Sequence, residues 1–213
     1  MERLTINFTG SAAITSDMIE QLNQLCAQVE NTPAIDQVLF AFAGGAAPAQ
    51  GTESMDVGLL HKWEKALRRV ENLNALLIAT TDGECGLVAL SIIAIADLRL
   101  GTPDSTFALR GKDITLPGML IHRLTNQLAA NWVRLLLVLG NTLCAEEALA
   151  SGLLDRTSTQ PAALAEDLAM GMNPHAFTDI RVRRKLMLEA CHTSYEDTIG
   201  LSLSASDRTL RQG

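Results

Sequence analysis

The side chains best suited to proton or nucleophile chemistry lie around one apolar segment of the chain. Glu84 and Cys85 precede a nearly unbroken apolar run, Ser91 lies within it, and Asp113 follows in the string Arg-Gly-Lys-Asp. A positioned carboxylate can act as a general acid or base, and a helix N-terminus can lower the pKa of a thiol. The alternatives are solvated acids for Glu84 and Asp113, and for Ser91 a hydrogen bond to a carbonyl one turn earlier.

A run of cations lies near the C-terminal end of an otherwise acidic chain. It comprises Arg181, Arg183, Arg184 and Lys185, whereas the 213-residue chain has a formal net charge of -7. Arginine and lysine pair well with phosphate oxygens, so this run can hold a phosphorylated ligand. The alternative is a solvated helix face. The overall charge argues against a general nucleic-acid binder, which normally has a basic face.

The composition predicts a globular domain with no membrane span and no metal site. Apolar residues make up 47% of the chain and aromatics 4%, so the core should consist mainly of Leu, Ile, Val, Ala and Met. The longest apolar stretch, residues 87–96, is about half of the roughly 20 residues that a membrane helix needs. The first residues lack the apolar core of a secretory signal. Four scattered cysteines without CxxC or CxxH spacing predict reduced thiols and a cytoplasmic location.

The hydrophobic pattern predicts an α/β fold with a largely parallel sheet. Apolar or alternating runs typical of strands recur at residues 4–8, 38–42, 76–79 and 97–100. Helical patterns lie between them, at residues 18–29, 59–70 and 86–96. This alternation predicts right-handed βαβ crossovers. Beyond Pro117 we expect only helices: one stripe over residues 120–139, a short helix closed by Gly152, and two amphipathic helices over residues 180–210.

Three segments, in this order and at these spacings, resemble the crotonase (enoyl-CoA hydratase/isomerase) superfamily. WEKALRRVENLNALLIATTDG, residues 63–83, is similar to the family's amphipathic helix and the strand after it. GLVALSIIAIADLRLGTPDSTFAL, residues 86–109, resembles its glycine-rich helix start and extended arm, and AEEALASGLLD, residues 145–155, is close to its A-x-E-A-x-x-x-G-L-V-D string. The resemblance implies an α/β crotonase-like core of ββα repeats at residues 1–155. Residues 156–213 would be a helical C-terminal oligomerisation region of the same domain.

The resemblance also implies that the chemistry depends on an oxyanion hole. In this family two backbone amides receive the negative charge that develops on a CoA thioester oxygen, and one of them lies at a helix N-terminus. Matched residue by residue, that donor falls on Val88. The other falls on Ala46, or near Gly51 if the register differs. CoA would enter as part of the substrate, no separate cofactor would be required, and the cationic run would hold the CoA phosphates.

The acid–base pair of the family is not retained in this chain. Hydratases of the family use two glutamates, and the matching positions here are Ser91 and Arg110, neither of which can act as a carboxylate base. Asp113 follows the arm that carries the family's second acid and is the best carboxylate candidate. Glu84, beside the oxyanion turn, is another. Simple hydration of an enoyl-CoA by the two-glutamate mechanism is therefore not expected.

A narrower likeness involves KWEKALRRVENL, DGECG, the PGM step at Pro117 and RKLMLEACHTSYEDTIG. These strings resemble one crotonase subgroup, the auxiliary hydratase-like enzyme of the 3,5-dihydroxyphenylglycine pathway. The likeness implies a lyase or isomerase of antibiotic biosynthesis that helps dehydrate and aromatise a polyketide-CoA to 3,5-dihydroxyphenylacetyl-CoA. The implied partners are an acyl-CoA, a type III polyketide synthase, a second crotonase and further copies of the chain, as a trimer or hexamer. Two alternatives remain open: a non-catalytic crotonase-fold subunit that stabilises a partner enzyme, and a decarboxylase of a polyketide intermediate.

Overall fold

The computed structural model describes residues 2–10, 12–44, 56–115, 117–190 and 192–212. The strands of that part of the chain are β1 (Glu2–Thr9), β2 (Ile35–Ala43), β3 (Leu76–Thr81), β4 (Glu84–Cys85), β5 (Leu98–Gly101), β6 (Thr106–Phe107), β7 (Leu143–Cys144) and β8 (Arg156–Thr157). Its α-helices are α1 (Ser16–Asn31), α2 (Val57–Glu71), α3 (Leu87–Ile93), α4 (Leu120–Thr125), α5 (Ala130–Val133), α6 (Ala145–Ser151), α7 (Pro161–Met170), α8 (Ile180–Glu189) and α9 (Tyr195–Gln212). Two 3-10 helices, Gly111–Ile114 and Pro174–Phe177, and a π-helical turn, Arg134–Val138, complete the described helices.

The larger sheet has the strand order β1-β2-β3-β5-β8, and each neighbouring pair in it is parallel. Val38 in β2 pairs with Leu4 on one side and with Leu77 on the other, and both Val38 and Leu77 are fully buried. The connections pass through helices, because a parallel pair needs a long crossover. The predicted α/β fold with a largely parallel sheet is confirmed.

The first two helices cover one face of this sheet and begin at capped residues. Thr15 Oγ1 accepts a hydrogen bond from the Met18 amide at 3.2 Å, so Thr15 is the N-cap of α1. Asp56 caps α2 in the same way, with 2.7 Å between its carboxylate and the Leu59 amide. The buried stripe of α2 includes Trp63, which is 1% exposed. Burial of a large apolar side chain contributes about 1.5–3 kcal/mol, so this stripe is a main source of the packing energy.

A smaller sheet holds the entry to α3. β4 pairs with β6 in parallel, and β6 pairs with β7 in the antiparallel sense. The ladder between β4 and β6 is extended at both ends, because the Thr106 amide donates to Gly83 O at 2.9 Å and the Ala108 amide donates to Cys85 O at 3.0 Å. The chain segments at residues 84–86 and 106–108 therefore run side by side in the same direction.

The single helix predicted over residues 120–139 is wrong. The structure has α4, a break at residues 126–129, α5 and then the π-helical turn. Gln127 lies in this break, and its side chain donates to Ala94 O at 2.8 Å and accepts from the Arg99 guanidinium. These contacts join the break to the end of α3 and to β5. Leu139, expected to be part of the apolar stripe, is 62% exposed.

The C-terminal part of the chain covers the second face of the larger sheet and then turns back along α2. Ala165 and Ala169 of α7, with Ile180 of α8, pack on Leu39 and Ile78 of the sheet. The two predicted C-terminal helices are confirmed as α8 and α9, with Gly152 as the left-handed cap of α6. Within the part of the chain that the structure describes, no helix is long and apolar enough to span a membrane.

Candidate functional site

The start of α3 presents a backbone donor that has no partner among the described residues. Gly86 is the N-cap and forms no side-chain cap, and the Gly86 carbonyl accepts the Leu90 amide at 3.0 Å. The preceding amides of a helix have no partner within it. No described residue accepts a hydrogen bond from the amide of Val88, and its side chain is fully buried. Val88 therefore offers a free N–H at the positive end of a helix dipole.

Close backbone contacts fix the position of that helix start. The Gly86 amide donates to Gly10 O at 2.8 Å, which ties α3 to the end of β1. A Cβ atom on Gly10 would lie 2.2 Å from Glu84 O, so a side chain at residue 10 would push the β4 turn away. On the other side, the Thr102 hydroxyl donates to the Asp82 carboxylate at 2.8 Å. The turn before α3 is thus held by neighbours from β1 and β5.

The end of β2 is positioned against the same turn. The Asp82 amide donates to Phe42 O at 2.9 Å, and a Cβ on Gly44 would lie 2.9 Å from Asp82 O. Glycine at residue 44 therefore allows the two backbones to touch. The second predicted oxyanion donor, Ala46, and the alternative near Gly51 lie outside the described residues. The described segment 12–44 ends two residues before Ala46, with Gly44 in contact with Gly83.

Ser91 is buried and already hydrogen-bonded within its own helix. Its side chain donates to Leu87 O at 2.7 Å, and the residue is 2% exposed. This is the back-bond to the preceding turn that serines in helices commonly form. The hydroxyl proton is committed to the Leu87 carbonyl, so the contact favours the structural interpretation of Ser91.

Glu84 and Arg110, distant in sequence, form an ion pair beside the α3 start. The Arg110 Nε atom lies 2.6 Å from Glu84 Oε1, and the side chains are 65% and 44% exposed. Arg110 also begins the 3-10 helix that carries Asp113, because the Asp113 amide donates to Arg110 O at 3.1 Å. The Glu84 carboxylate is therefore held by the Arg110 side chain, and the backbone of Asp113 is held by the Arg110 carbonyl. Desolvation raises the pKa of the Asp113 carboxyl above its usual 3.8.

The interpretation of Cys85 as an activated thiol is wrong. Cys85 is fully buried beneath the β4 turn, and its thiol lies 3.8 Å from Gly83 O. Burial, with the charges of Asp82 and Glu84 adding to it, raises the Cys85 pKa to about 12. The thiolate is thus suppressed at neutral pH, and Cys85 acts as a small apolar core residue.

The four cations of the run do not form one phosphate-binding site. The prediction that Arg184 contacts phosphate is wrong. The Arg184 side chain is 1% exposed and forms an ion pair with Asp97. The guanidinium also donates to the carbonyls of Glu71, Leu73 and Ala75 at 2.7–3.0 Å. Because this group is buried and engaged with protein acceptors, Arg184 is a structural residue.

The other three cations, Arg181, Arg183 and Lys185, are exposed. Arg183 lines a cavity of about 660 Å³ between the sheet and α7, together with Arg156 and His175. Arg181 faces a different pocket, which includes Glu30 and Asn72. A single phosphate ligand therefore cannot contact the whole run within one chain, and only the exposed members stay candidates.

Sequence inspection missed a polar cluster between α2, α4 and the C-terminal segment. Arg123 contacts Glu64 at 2.8 Å and Glu71 at 3.1 Å, and all three side chains are at most 18% exposed. His122 stacks on His192 with 5.0 Å between ring centroids, at the edge of a cavity of about 420 Å³. Because the two histidines are far apart in sequence, no local spacing could have indicated this contact.

The chain is similar in sequence and in structure to known proteins. No family model matches the chain. A relative from Amycolatopsis orientalis named "Enoyl-CoA-hydratase" is 35% identical over 211 residues, which cover 98% of this chain and 96% of that protein. An enoyl-CoA hydratase structure from Mycobacterium smegmatis superposes with a TM-score of 0.80 at 17% identity, over 98% of this chain and 86% of that one. An enoyl-CoA hydratase/isomerase structure from Marinobacter aquaeolei has a TM-score of 0.77 at 17% identity, over 99% and 87%.

Proposed function

Because the chain belongs to the enoyl-CoA hydratase/isomerase (crotonase) family, we propose that it binds an acyl-CoA thioester and stabilises the enolate formed from it. One observation carries the proposal: at the buried start of α3, the backbone amide of Val88 has no acceptor in the part of the chain that the structure describes. An amide aimed at a thioester oxygen stabilises the negative charge that develops there, and the helix dipole adds to that effect. Ala46 is the proposed second donor. CoA is part of the substrate thioester, and no further cofactor is proposed.

The side chains near α3 favour a reaction that needs no pair of strong bases. Ser91 is committed to the Leu87 carbonyl, and Arg110 is paired with Glu84. Asp113, whose carboxyl is partly desolvated, is the proposed proton carrier. A polyketide thioester suits this arrangement, because protons between two carbonyls are already acidic. We therefore assign the chain to the dehydration and aromatisation of a polyketide-CoA, as a lyase or isomerase that leads to 3,5-dihydroxyphenylacetyl-CoA.

A decisive experiment removes the Val88 amide and leaves the side chains of the site in place. Val88→Pro deletes the N–H within the first helical turn, where proline is best tolerated. Loss of one such donor typically costs about 100- to 1000-fold in turnover. The assay is formation of the aromatised product from a polyketide made by a type III synthase, with and without this protein. Circular dichroism checks the fold of each variant.

Two matched variants separate the amide from the side chains. Val88→Ala keeps the N–H and removes two buried methyl groups, so turnover should survive even if stability falls. Ser91→Ala should lower turnover less than about tenfold, because the Ser91 hydroxyl is hydrogen-bonded within its own helix. If Val88→Pro folds and product formation is unchanged, the oxyanion-hole mechanism is wrong. The protein would then be better explained as a subunit.

The second candidate function is that of a non-catalytic crotonase-fold subunit. It is favoured by the exposed apolar side chains of the last two helices, among them Met187 at 58% and Leu203 at 61%. Such a subunit would stabilise a partner crotonase or a type III synthase. If this function is correct, the protein should raise the activity or the thermal midpoint of such a partner, and Val88→Pro should do so equally well.

A further inference from the structure

The ion pair between Glu84 and Arg110 leaves most of the guanidinium unused. Arg110 contacts Glu84 through Nε. No described residue accepts a hydrogen bond from its two terminal nitrogens, Nη1 and Nη2. Those two nitrogens form the fork that matches a carboxylate in a bidentate contact. A pair formed through Nε holds the arginine in place and leaves the Nη1 and Nη2 atoms available to a ligand.

The position of Arg110 is fixed relative to α3 by the smaller sheet. β4 and β6 run in parallel, with Glu84 opposite Thr106 and Cys85 opposite Phe107. Beyond the ladder, one chain enters α3 and the other continues through Ala108 to Arg110. Because both chains leave the sheet at the same end, Arg110 lies on the side where α3 begins.

The exposure of the pair makes its exchange for a ligand easy. The Arg110 side chain is 65% exposed and that of Glu84 is 44% exposed. Ion pairs this exposed contribute little to stability, because water and salt compete with them. A ligand carboxylate can therefore take the guanidinium from Glu84 at small cost.

We propose that Arg110 selects the acyl group of the thioester by binding a carboxylate at its far end, with Glu84 holding the guanidinium until that ligand arrives. This inference rests on the proposed function and names its substrate class: acyl-CoA thioesters of dicarboxylic acids, such as malonyl-type or longer polyketide chains that end in a carboxylate. Arg110 then acts as a specificity residue, and the enolate is stabilised elsewhere, at the amide of Val88.

The test compares two thioesters of nearly equal shape on the full-length protein. Malonyl-CoA ends in a carboxylate, and acetoacetyl-CoA has a neutral methyl ketone in its place. We expect wild-type protein to bind malonyl-CoA more tightly by calorimetry. Arg110→Gln should lower the malonyl-CoA affinity about tenfold and leave acetoacetyl-CoA within about twofold. Glu84→Gln should strengthen malonyl-CoA binding, because it removes the competing carboxylate.

Arg68→Gln is the matched control, since Arg68 is also 65% exposed and also pairs with one glutamate. It should change neither affinity. If Arg110→Gln weakens both thioesters equally, Arg110 contacts the CoA moiety and the inference is overturned, as it is if the affinity ratio stays the same. Both of these outcomes leave the proposed function standing. If wild-type protein binds neither thioester, the proposed function fails and the inference falls with it.

Discussion

Arg184 and Asp97 form a buried ion pair that fastens the C-terminal region to the core. Their side chains are 1% and 15% exposed, and Arg184 Nε lies 2.8 Å from Asp97 Oδ1. Asp97 also accepts the Leu77 amide at 2.9 Å, while Arg184 reaches carbonyls of the connection between α2 and β3. Together the two side chains join α8 to the centre of the larger sheet.

Removal of Arg184 should therefore destabilise the protein strongly. Arg184→Met leaves the Asp97 charge without its partner and leaves several buried carbonyls without donors, a change that typically costs about 3–5 kcal/mol. Denaturant unfolding measures this loss. Arg181→Met, on the exposed side of the same helix, should stay within about 0.5 kcal/mol of wild type. Equal midpoints for the two variants would contradict the role assigned to Arg184.

The exposed cations should contribute to CoA binding. We expect replacement of Arg181 and Arg183 together with alanine to weaken CoA binding by more than tenfold, about 1.4 kcal/mol, because charge-assisted contacts to phosphate are lost. Wild-type affinity should fall as salt is added, since salt screens such contacts. Calorimetry with CoA, at two ionic strengths, measures both effects.

The two arginines face different pockets, so the single variants are informative. A loss confined to Arg183→Ala would place the CoA phosphates near the 660 Å³ cavity that Arg183 lines. If the double variant binds CoA as tightly as wild type, both arginines belong to a solvated helix face and do not contact CoA.

Local patterns predicted most of the fold, because they record contacts between neighbours in sequence. Hydrophobic runs marked β2 and β3, and the helical spacing over residues 18–29 marked α1. Two features escaped prediction because they depend on partners far along the chain. Arg184 looked like one more cation of an exposed run, yet its carboxylate partner lies 87 residues away. In the helix break at residues 126–129, Gln127 contacts Ala94 and Arg99, which lie 33 and 28 residues earlier in the chain.

The candidate site was predicted less completely than the fold. The start of α3 follows from a glycine before an apolar helix, whereas the choice of Val88 as the donor came from the family resemblance. The pairing of Arg110 with Glu84 required the register of β4 against β6, which two short strands do not reveal in sequence. The burial that suppresses the Cys85 thiolate also comes from packing that no local pattern records.

Asp113 should impose a pH dependence on activity. Desolvation raises the pKa of its carboxyl above the usual 3.8, and a general base must be ionised to accept a proton. Activity should therefore rise with pH through this raised pKa. Asp113→Asn should lower turnover and abolish that acidic limb. A pH profile of product formation for both proteins measures this, and an unchanged limb in the variant would assign it to another group.

The raised pKa of Asp113 should also make stability depend on pH. The direction is opposite to that of a salt-bridged acid, whose pKa is lowered on folding. Because the folded protein holds the Asp113 proton more tightly than the unfolded chain, the stabilisation is complete below pH 3.8 and is lost as the pH rises through the raised pKa. Asp113→Asn should remove this decline. Unfolding at several pH values separates this linkage from the catalytic effect.

The exposed apolar stripe on the last two helices should mediate self-association. Met187, Ile199 and Leu203 are 58%, 40% and 61% exposed, and Ile199 and Leu203 lie one turn apart on α9. These side chains are about half exposed, so burial of the remainder against another copy contributes about 1 kcal/mol each. Exposed apolar patches commonly mark an interface. The family resemblance suggests a trimer or a dimer of trimers, and light scattering at micromolar concentration measures the mass.

Leu203→Glu should shift the protein toward the monomer, because it places a charge in the centre of the stripe. Ser204→Glu adds the same charge at the adjacent exposed position and should leave the mass unchanged, which separates the loss of apolar contact from a general charge effect. A wild-type protein that is monomeric throughout the concentration range would contradict the prediction. So would an oligomer that survives Leu203→Glu, because the contact would then lie on another face of the molecule.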